Sequence, residues 1–175
     1  MLTSALANAG YIDARFNFSS QNTPLHTNVF SYATDSPFQI VKVIDGDTVD
    51  ISQDGVTTRV RLIGINSPES VDPRRPVECF GKQASAHAKE LLNGKTVHIE
   101  LDSTQDTYDK YGRLLAYITL SDGTLFNQAM IREGYAYEYT YDTPYKYQKV
   151  FKAAQVSARK NELGLWSPRT CRGTK

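Results

Sequence analysis

Residues 43–69 read VIDGDTVDISQDGVTTRVRLIGINSPE, and the alternation inside them decides the fold. Asp45, Gly46, Asp47 and Thr48 close one apolar run, and Asp54-Gly55 supplies a hairpin turn. Residues 57–65 then alternate polar and apolar. A period of two puts Arg59 and Arg61 on one face of a strand and Val60 and Leu62 on the other. The strand ends at Asn66-Ser67-Pro68-Glu69, because proline cannot donate to a ladder, and Glu69 is left on a loop. Asp47, Arg61 and Glu69 are therefore expected to converge at one edge of a small barrel.

Outward from this stretch, residues 38–44, 48–52 and 57–65 predict three strands in a meander, too small to bury both faces unaided. Residues 1–36 carry neither period and are rich in Asn, Ser and Thr, so they predict an extension or linker outside the core. Residues 70–76 predict a solvated surface loop, with a basic lip over a substrate as the alternative reading of Arg74 and Arg75. Residues 82–93 place Ala84, Ala88, Leu91 and Leu92 on one helical stripe, closed by Asn93-Gly94. A fourth strand is expected at 97–101, a tight polar turn at 102–113, a fifth strand at 114–120 and a short helix at 126–133. The tyrosine-dense residues 135–147 predict mostly loop. A last helix is expected over 145–161, with Val150, Ala153, Ala154 and Ala158 inward, and Leu163, Leu165 and Trp166 pin the chain end. His87 and His98 have no ligand partner at suitable spacing and are read as surface histidines. Five short strands with a helix inserted after the third is the layout of an OB-fold β-barrel, an α+β (mainly β) class with about three helices. The domain is expected over 37–169, with 170–175 as a tail. That fold binds several kinds of ligand and does not by itself decide function.

Composition is globular, 40% hydrophobic and 22% charged, with no apolar run approaching a membrane span. The net charge of +1 excludes a global positive field, so any nucleic-acid binding must come from a local cluster. Most of the eleven tyrosines are expected to pack in the sheet, the remainder to offer stacking surface. Cys79 and Cys171 each sit in a polar, loop-like stretch, which favours one disulfide and an oxidising, extracytoplasmic compartment, with two isolated buried thiols as the alternative reading. The opening MLTSALANAG has the small residues of a signal-peptide cleavage region. It lacks the basic and apolar segments of one, so at most a trimmed remnant is expected.

IDGDTV, VRLIGINSPE, DKYGRLLAY and the late GLW, in this order over most of the chain, resemble the motifs of the staphylococcal nuclease family. A lone DGDT is also an ordinary turn; all four in register are specific. The resemblance implies a small calcium-dependent endonuclease that cuts single-stranded DNA and RNA with little sequence preference and leaves 3′-phosphates. It places Ca²⁺ on Asp47, the Asn66 side chain and the Ser67 backbone carbonyl, with Asp45 behind them. It casts Glu69 as general base, Arg61 and Arg113 as phosphate clamps, Lys110 and Tyr111 as phosphate and sugar contacts, and Tyr139 or Tyr141 as base-stacking ring. The residue chemistry agrees. Carboxylates repel a phosphodiester unless a hard cation bridges them, and forked guanidinium bonds strengthen as charge builds at phosphorus.

The chain departs from the family where Asp is usual at Asn66 and Thr at Ser67. One negative charge fewer predicts weaker calcium binding rather than lost activity. Two other readings carry weight: a non-catalytic nucleic-acid-binding module of nuclease descent, and an oligosaccharide-binding barrel. The first typically loses the acidic ligands and arginines that are present here. The second leaves Arg61 and Arg113 without a purpose. The chain is expected to act as a monomer away from any membrane.

Overall fold

The computed structural model describes residues 36–74 and 76–174, so the N-terminal extension expected over 1–36 lies almost wholly outside the described residues. Strands β1 (Phe38–Val43), β2 (Thr48–Gln53) and β3 (Val56–Leu62) form the antiparallel meander. A two-residue strand, β4 (Ile65–Asn66), leaves it, and helix α1 (Gly81–Leu92) follows. Strands β5 (Thr96–Glu100) and β6 (Leu114–Leu120) complete a closed barrel in the order β1-β2-β3-β6-β5, with β3 and β6 parallel. Helix α2 (Phe126–Arg132), strand β7 (Tyr137–Glu138), helix α3 (Gln148–Lys160) and a 3-10 turn (Gly164–Trp166) close the chain. Five barrel strands and three helices are the architecture expected from the sequence.

Alternation supplies the barrel interior: Val49, Ile51, Val60, Leu62, Val97, Ile99, Ala116 and Ile118 are all buried. A bulge between Ile40 and Lys42 shifts the β1 register, which turns Val41 outward and returns Val43 to the core. Strand β6 is buried on both faces, because Tyr117 meets Tyr147 edge-on at 4.7 Å and Phe151 of α3 at 6.2 Å. Among the described residues no helix is long and apolar enough to cross a membrane.

Four local expectations need correction. The third strand does not run unbroken to Ile65. It turns at Ile63-Gly64, where Gly64 has φ +78° and its Cα faces the Tyr145 ring with no room for a side chain. That turn is tied by buried Asn127, whose amide accepts from Ile118 N–H at 3.0 Å and donates to the Ile63 carbonyl at 2.9 Å. The inward stripe of α3 is Phe151, Ala154 and Ala158, while Val150 and Ala153 face solvent, because the helix begins later and its face is set by Tyr117. Leu163 is exposed, and only Leu165 and Trp166 pin the end of the chain. His87 is half-buried rather than a free surface residue: it stacks on Tyr135 at 3.9 Å and bonds Glu133 at 2.8 Å, since α1 packs across the segment after α2.

Cys79 and Cys171 are joined by a disulfide. Cys171 is buried rather than on an open tail, because residues 170–174 fold back in turns: Gly173 N–H donates to the Leu165 carbonyl at 2.8 Å and packs on the Trp166 ring.

Candidate active site

The turn after β1 starts the site. Asp45 Oδ1 accepts the Asp47 N–H at 3.1 Å, an Asx turn that aims the next carboxylate inward, and the Asp47 carbonyl accepts Leu62 N–H at 2.9 Å. Asp47, 5% exposed, accepts at Oδ1 from the Thr48 hydroxyl at 3.0 Å and at Oδ2 from Ser67 N–H at 2.8 Å. Its Oδ2 also lies 3.2 Å from Arg61 Nη2. Strand β4 pairs with β7, Asn66 opposite Tyr137, which carries Asn66 and buried Ser67 to the same edge. Burial first, and the Asp47 carboxylate second, push the Asp45 carboxyl up to about 7.

Arg61 sits opposite Thr48 on the outer face of β3, as the alternation predicts. Its Nη1 donates to the Leu62 carbonyl at 2.6 Å and the Ile65 carbonyl at 2.9 Å, so backbone on both sides of the Gly64 turn holds the guanidinium. Glu69 does not pair with it. Glu69 Oε1 instead accepts three backbone N–H groups of its own loop: Ser70 at 2.8 Å, Val71 at 2.7 Å and Asp72 at 3.0 Å. In the same loop Arg74 is forked onto Asp72 and 86% exposed, which fits a solvated loop rather than a basic lip; Arg75 lies outside the described residues.

The DKYGR turn is built on Asp109, a residue the sequence reading passed over. Asp109 Oδ1 accepts the N–H groups of Tyr111 and Arg113, both at 2.9 Å, and Oδ2 takes Arg113 Nε at 2.7 Å and Nη2 at 2.6 Å. Burial works to raise the Asp109 carboxyl, but these donors and the Arg113 charge bring it below its ordinary value. The signal was its place at the head of a turn that ends in an arginine. Lys110 and Arg113 stand over the Tyr111 ring at 5.2 and 5.3 Å, and Tyr111 is 72% exposed. Tyr139 and Tyr141, both exposed, lie 6.3 Å apart, and Tyr139 N–H donates to the Gly64 carbonyl at 3.0 Å.

These elements face one cleft of about 1040 Å³. Asp45, Asp47, Arg61, Asn66, Ser67, Glu69, Lys110, Tyr111, Arg113, Tyr139 and Tyr141 all line it, so every site residue read from the sequence is brought together. Cationic forks, a recessed carboxylate pair and exposed aromatic rings suit a polyanion with planar bases. Among the other described tyrosines, Tyr117 and Tyr145 are buried, and burial is the first cause raising both phenols, while Tyr108 is exposed.

The family model for the staphylococcal nuclease homologue matches residues 59–168, from mid-β3 to the end of the 3-10 turn region. Among curated proteins, the thermonuclease of Staphylococcus hyicus is 35% identical over 159 residues, which cover 91% of this chain and 92% of that one. The thermonuclease of Staphylococcus intermedius is 42% identical over 129 residues, 74% of this chain and 75% of that protein. Endonuclease YncB of Bacillus subtilis is 35% identical over 127 residues, 72% of this chain and 59% of its own length. With the barrel, its cleft and these matches together, the chain belongs to the staphylococcal nuclease family and is a nuclease that hydrolyses nucleic acids.

Proposed function

We propose that this nuclease is a calcium-dependent endonuclease that acts on single-stranded DNA and RNA with low sequence specificity and leaves 3′-phosphates. The observation that carries the reading is the convergence of Glu69, Arg61 and Arg113 on one cleft with a recessed pair of carboxylates at its floor. Glu69 is the general base: its Oε1 is tied by three backbone donors of its loop, which fixes the carboxylate and leaves its other oxygen to take a proton from the attacking water. That water gives a proton to Glu69 and attacks phosphorus, the bond to the 5′ oxygen breaks and that oxygen leaves as a hydroxyl by taking a proton from solvent, and the 3′ oxygen keeps the phosphate. Arg61 and Arg113 hold the phosphate oxygens, each from a side chain already fixed by carbonyl or carboxylate acceptors. Lys110 and Tyr111 take an adjacent phosphate and sugar, and Tyr139 and Tyr141 stack on bases, which tolerates any sequence and favours unpaired strands.

The donor set fits a hard cation. Asp47 is the carboxylate donor, and Asp45 stands behind it, crowded against it with one nearby guanidinium and raised by its burial. Among the described residues no cluster of three or more His, Cys, Asp or Glu side chains stands in ligand geometry, so further donors come from the Asn66 amide oxygen and the Ser67 carbonyl. Bound there, calcium supplies charge neutralisation and polarisation of the phosphate. The neutral Asn66 donor sets a weaker affinity than a carboxylate would.

The Cys79–Cys171 bridge favours an oxidising, extracytoplasmic setting. Residues 37–169 form the nuclease domain, with 1–36 as an extension, residues 170–174 folded back onto the domain, and a monomer as the working unit. The test is cleavage of single-stranded DNA with calcium titrated against a chelator. Glu69→Ala is expected to lower turnover by about 10²–10⁴-fold. Undiminished cutting in chelator overturns the calcium assignment. Binding without cutting at millimolar calcium leaves the non-catalytic module, a reading that Asn66 alone favours.

A further inference from the structure

The Glu69 carboxylate draws all three of its backbone donors from its own loop, the excursion of residues 67–80 between β4 and α1. Those bonds fix the carboxylate relative to the loop. They do not fix it relative to Asp47 or the guanidiniums. That register depends on how the loop is anchored to the barrel and helices, and the anchor lies at its closing end. Glu78 N–H donates to the Glu69 carbonyl at 2.9 Å, and Glu69 N–H donates back to Glu78 Oε2 at 3.0 Å. Gly81, the first residue of α1, approaches the Glu69 carbonyl so closely that any Cβ would overlap it. Cys79, directly after Glu78, is bonded to Cys171. The residues around Cys171 are held to Leu165 and Ser167, and Leu165 N–H donates to the Gly134 carbonyl at 2.9 Å.

We propose that Glu78 and the Cys79–Cys171 disulfide form a clamp that sets the position of the Glu69 carboxylate in the cleft, so that full turnover requires the oxidised bridge. Glu78 is a positioning residue: it lines the cleft, but its carboxylate acts through the Glu69 backbone. The proposal rests on the reading of Glu69 as general base. Two independent attachments converge on adjacent residues: one closes the loop on itself, the other ties it to a layer 92 residues away in sequence. Cys79 is exposed, so a dithiol can reach the bridge. The dithiol gives up two electrons and two protons, closes to its own disulfide, and returns Cys79 and Cys171 as thiols.

The experiment measures kcat and KM on single-stranded DNA at saturating calcium for the full chain and for Glu78→Ala, Glu78→Gln, Cys79→Ala/Cys171→Ala and Glu69→Ala. Glu78→Ala and the cysteine double variant are each expected to lower kcat by about 10- to 100-fold, as a displaced catalytic group does, with KM within about twofold. Glu78→Gln restores most of kcat, because its amide oxygen still accepts the Glu69 N–H. Combining Glu78→Ala with the cysteine changes loses less than the product of the two effects, the mark of one shared device. Amide hydrogen exchange of Glu69 and Glu78, the two N–H groups of the clamp, in the wild-type protein, before and after complete dithiol reduction, needs no substitution and is expected to quicken on reduction. Wild-type kcat in Glu78→Ala or in the cysteine variant, or unchanged protection after reduction, overturns the clamp while Glu69→Ala still abolishes cutting. Wild-type kcat in Glu69→Ala instead overturns the base assignment on which the clamp rests.

Discussion

Arg59 and Arg61 stand two residues apart on the same face of β3, and each meets an aspartate from β2 or the turn before it. Arg59 forks onto Asp50 directly across the ladder, at 2.7 and 3.0 Å, with half its side chain in solvent. Arg61 is 14% exposed, touches Asp47 at 3.2 Å, and is held by two backbone carbonyls. The first pair decorates a closed barrel wall, where the ladder already satisfies the backbone. The second sits where the ladder stops at Gly64 and carbonyls are left pointing at the cleft. A ladder that ends frees backbone acceptors to hold a side chain, and this is how the fold turns one strand arginine into a fixed cation and leaves its neighbour ornamental.

The comparison breaks most sharply on turnover. Arg61→Ala, and likewise Arg113→Ala, should lower kcat by about 10²–10³-fold, the loss typical of one preorganised charge-stabilising donor. Single-turnover cleavage checks it, and an Arg61→Ala enzyme of near wild-type rate would erase the distinction. The next effect lies in stability. Cys171→Ala should cost about 2–4 kcal/mol in urea denaturation, since it frees a loop spanning most of the domain.

Asp102 extends the contrast to another carboxylate held by backbone rather than by a surface arginine. Burial works to raise it, yet the N–H groups of Lys146 and Thr104 and the Tyr117 and Thr104 hydroxyls bring it below its ordinary value. A lowered folded-state value means the contribution is complete above the ordinary aspartate value and is lost as pH falls from there through the folded one. Asp102→Asn should therefore remove about 2 kcal/mol at neutral pH and flatten the acid limb of stability in that window, read by urea denaturation across pH.

Smaller again are the rings. Tyr139→Ala or Tyr141→Ala should weaken single-strand binding by about 1–3 kcal/mol per stacked base with little change in kcat, measured by fluorescence titration with a calcium-free oligonucleotide. The smallest effect belongs to Arg59→Ala. An exposed pair of this kind is worth about 0.2–1 kcal/mol, and turnover should stay at the wild-type value.

The local periods carried a great deal on their own. The alternation of 57–62, the stop at Pro68 and the hairpin at Asp54-Gly55 placed β2, β3 and the Glu69 loop, and the candidate site residues that the motifs and the late tyrosines suggest all line the cleft. The α1 stripe and the cap at Asn93-Gly94 were equally plain, because helical spacing and glycine conformations are properties of neighbouring residues. Partnership was not legible. That Asp47 rather than Glu69 takes Arg61, that Asp109 sets Arg113, and that Asn127 bridges β6 to the Gly64 turn depend on which chain segments closure brings within hydrogen-bonding reach. The same holds for the β4–β7 pair, for the face α3 presents to Tyr117, and for Glu78 at the closing end of the Glu69 loop. Sequence by itself determined the barrel, its helices and the candidate residues that line the cleft, since composition and period are local. Only the tertiary structure decided which polar group holds which, because hydrogen bonds between distant residues are chosen by the closed barrel and not by spacing along the chain.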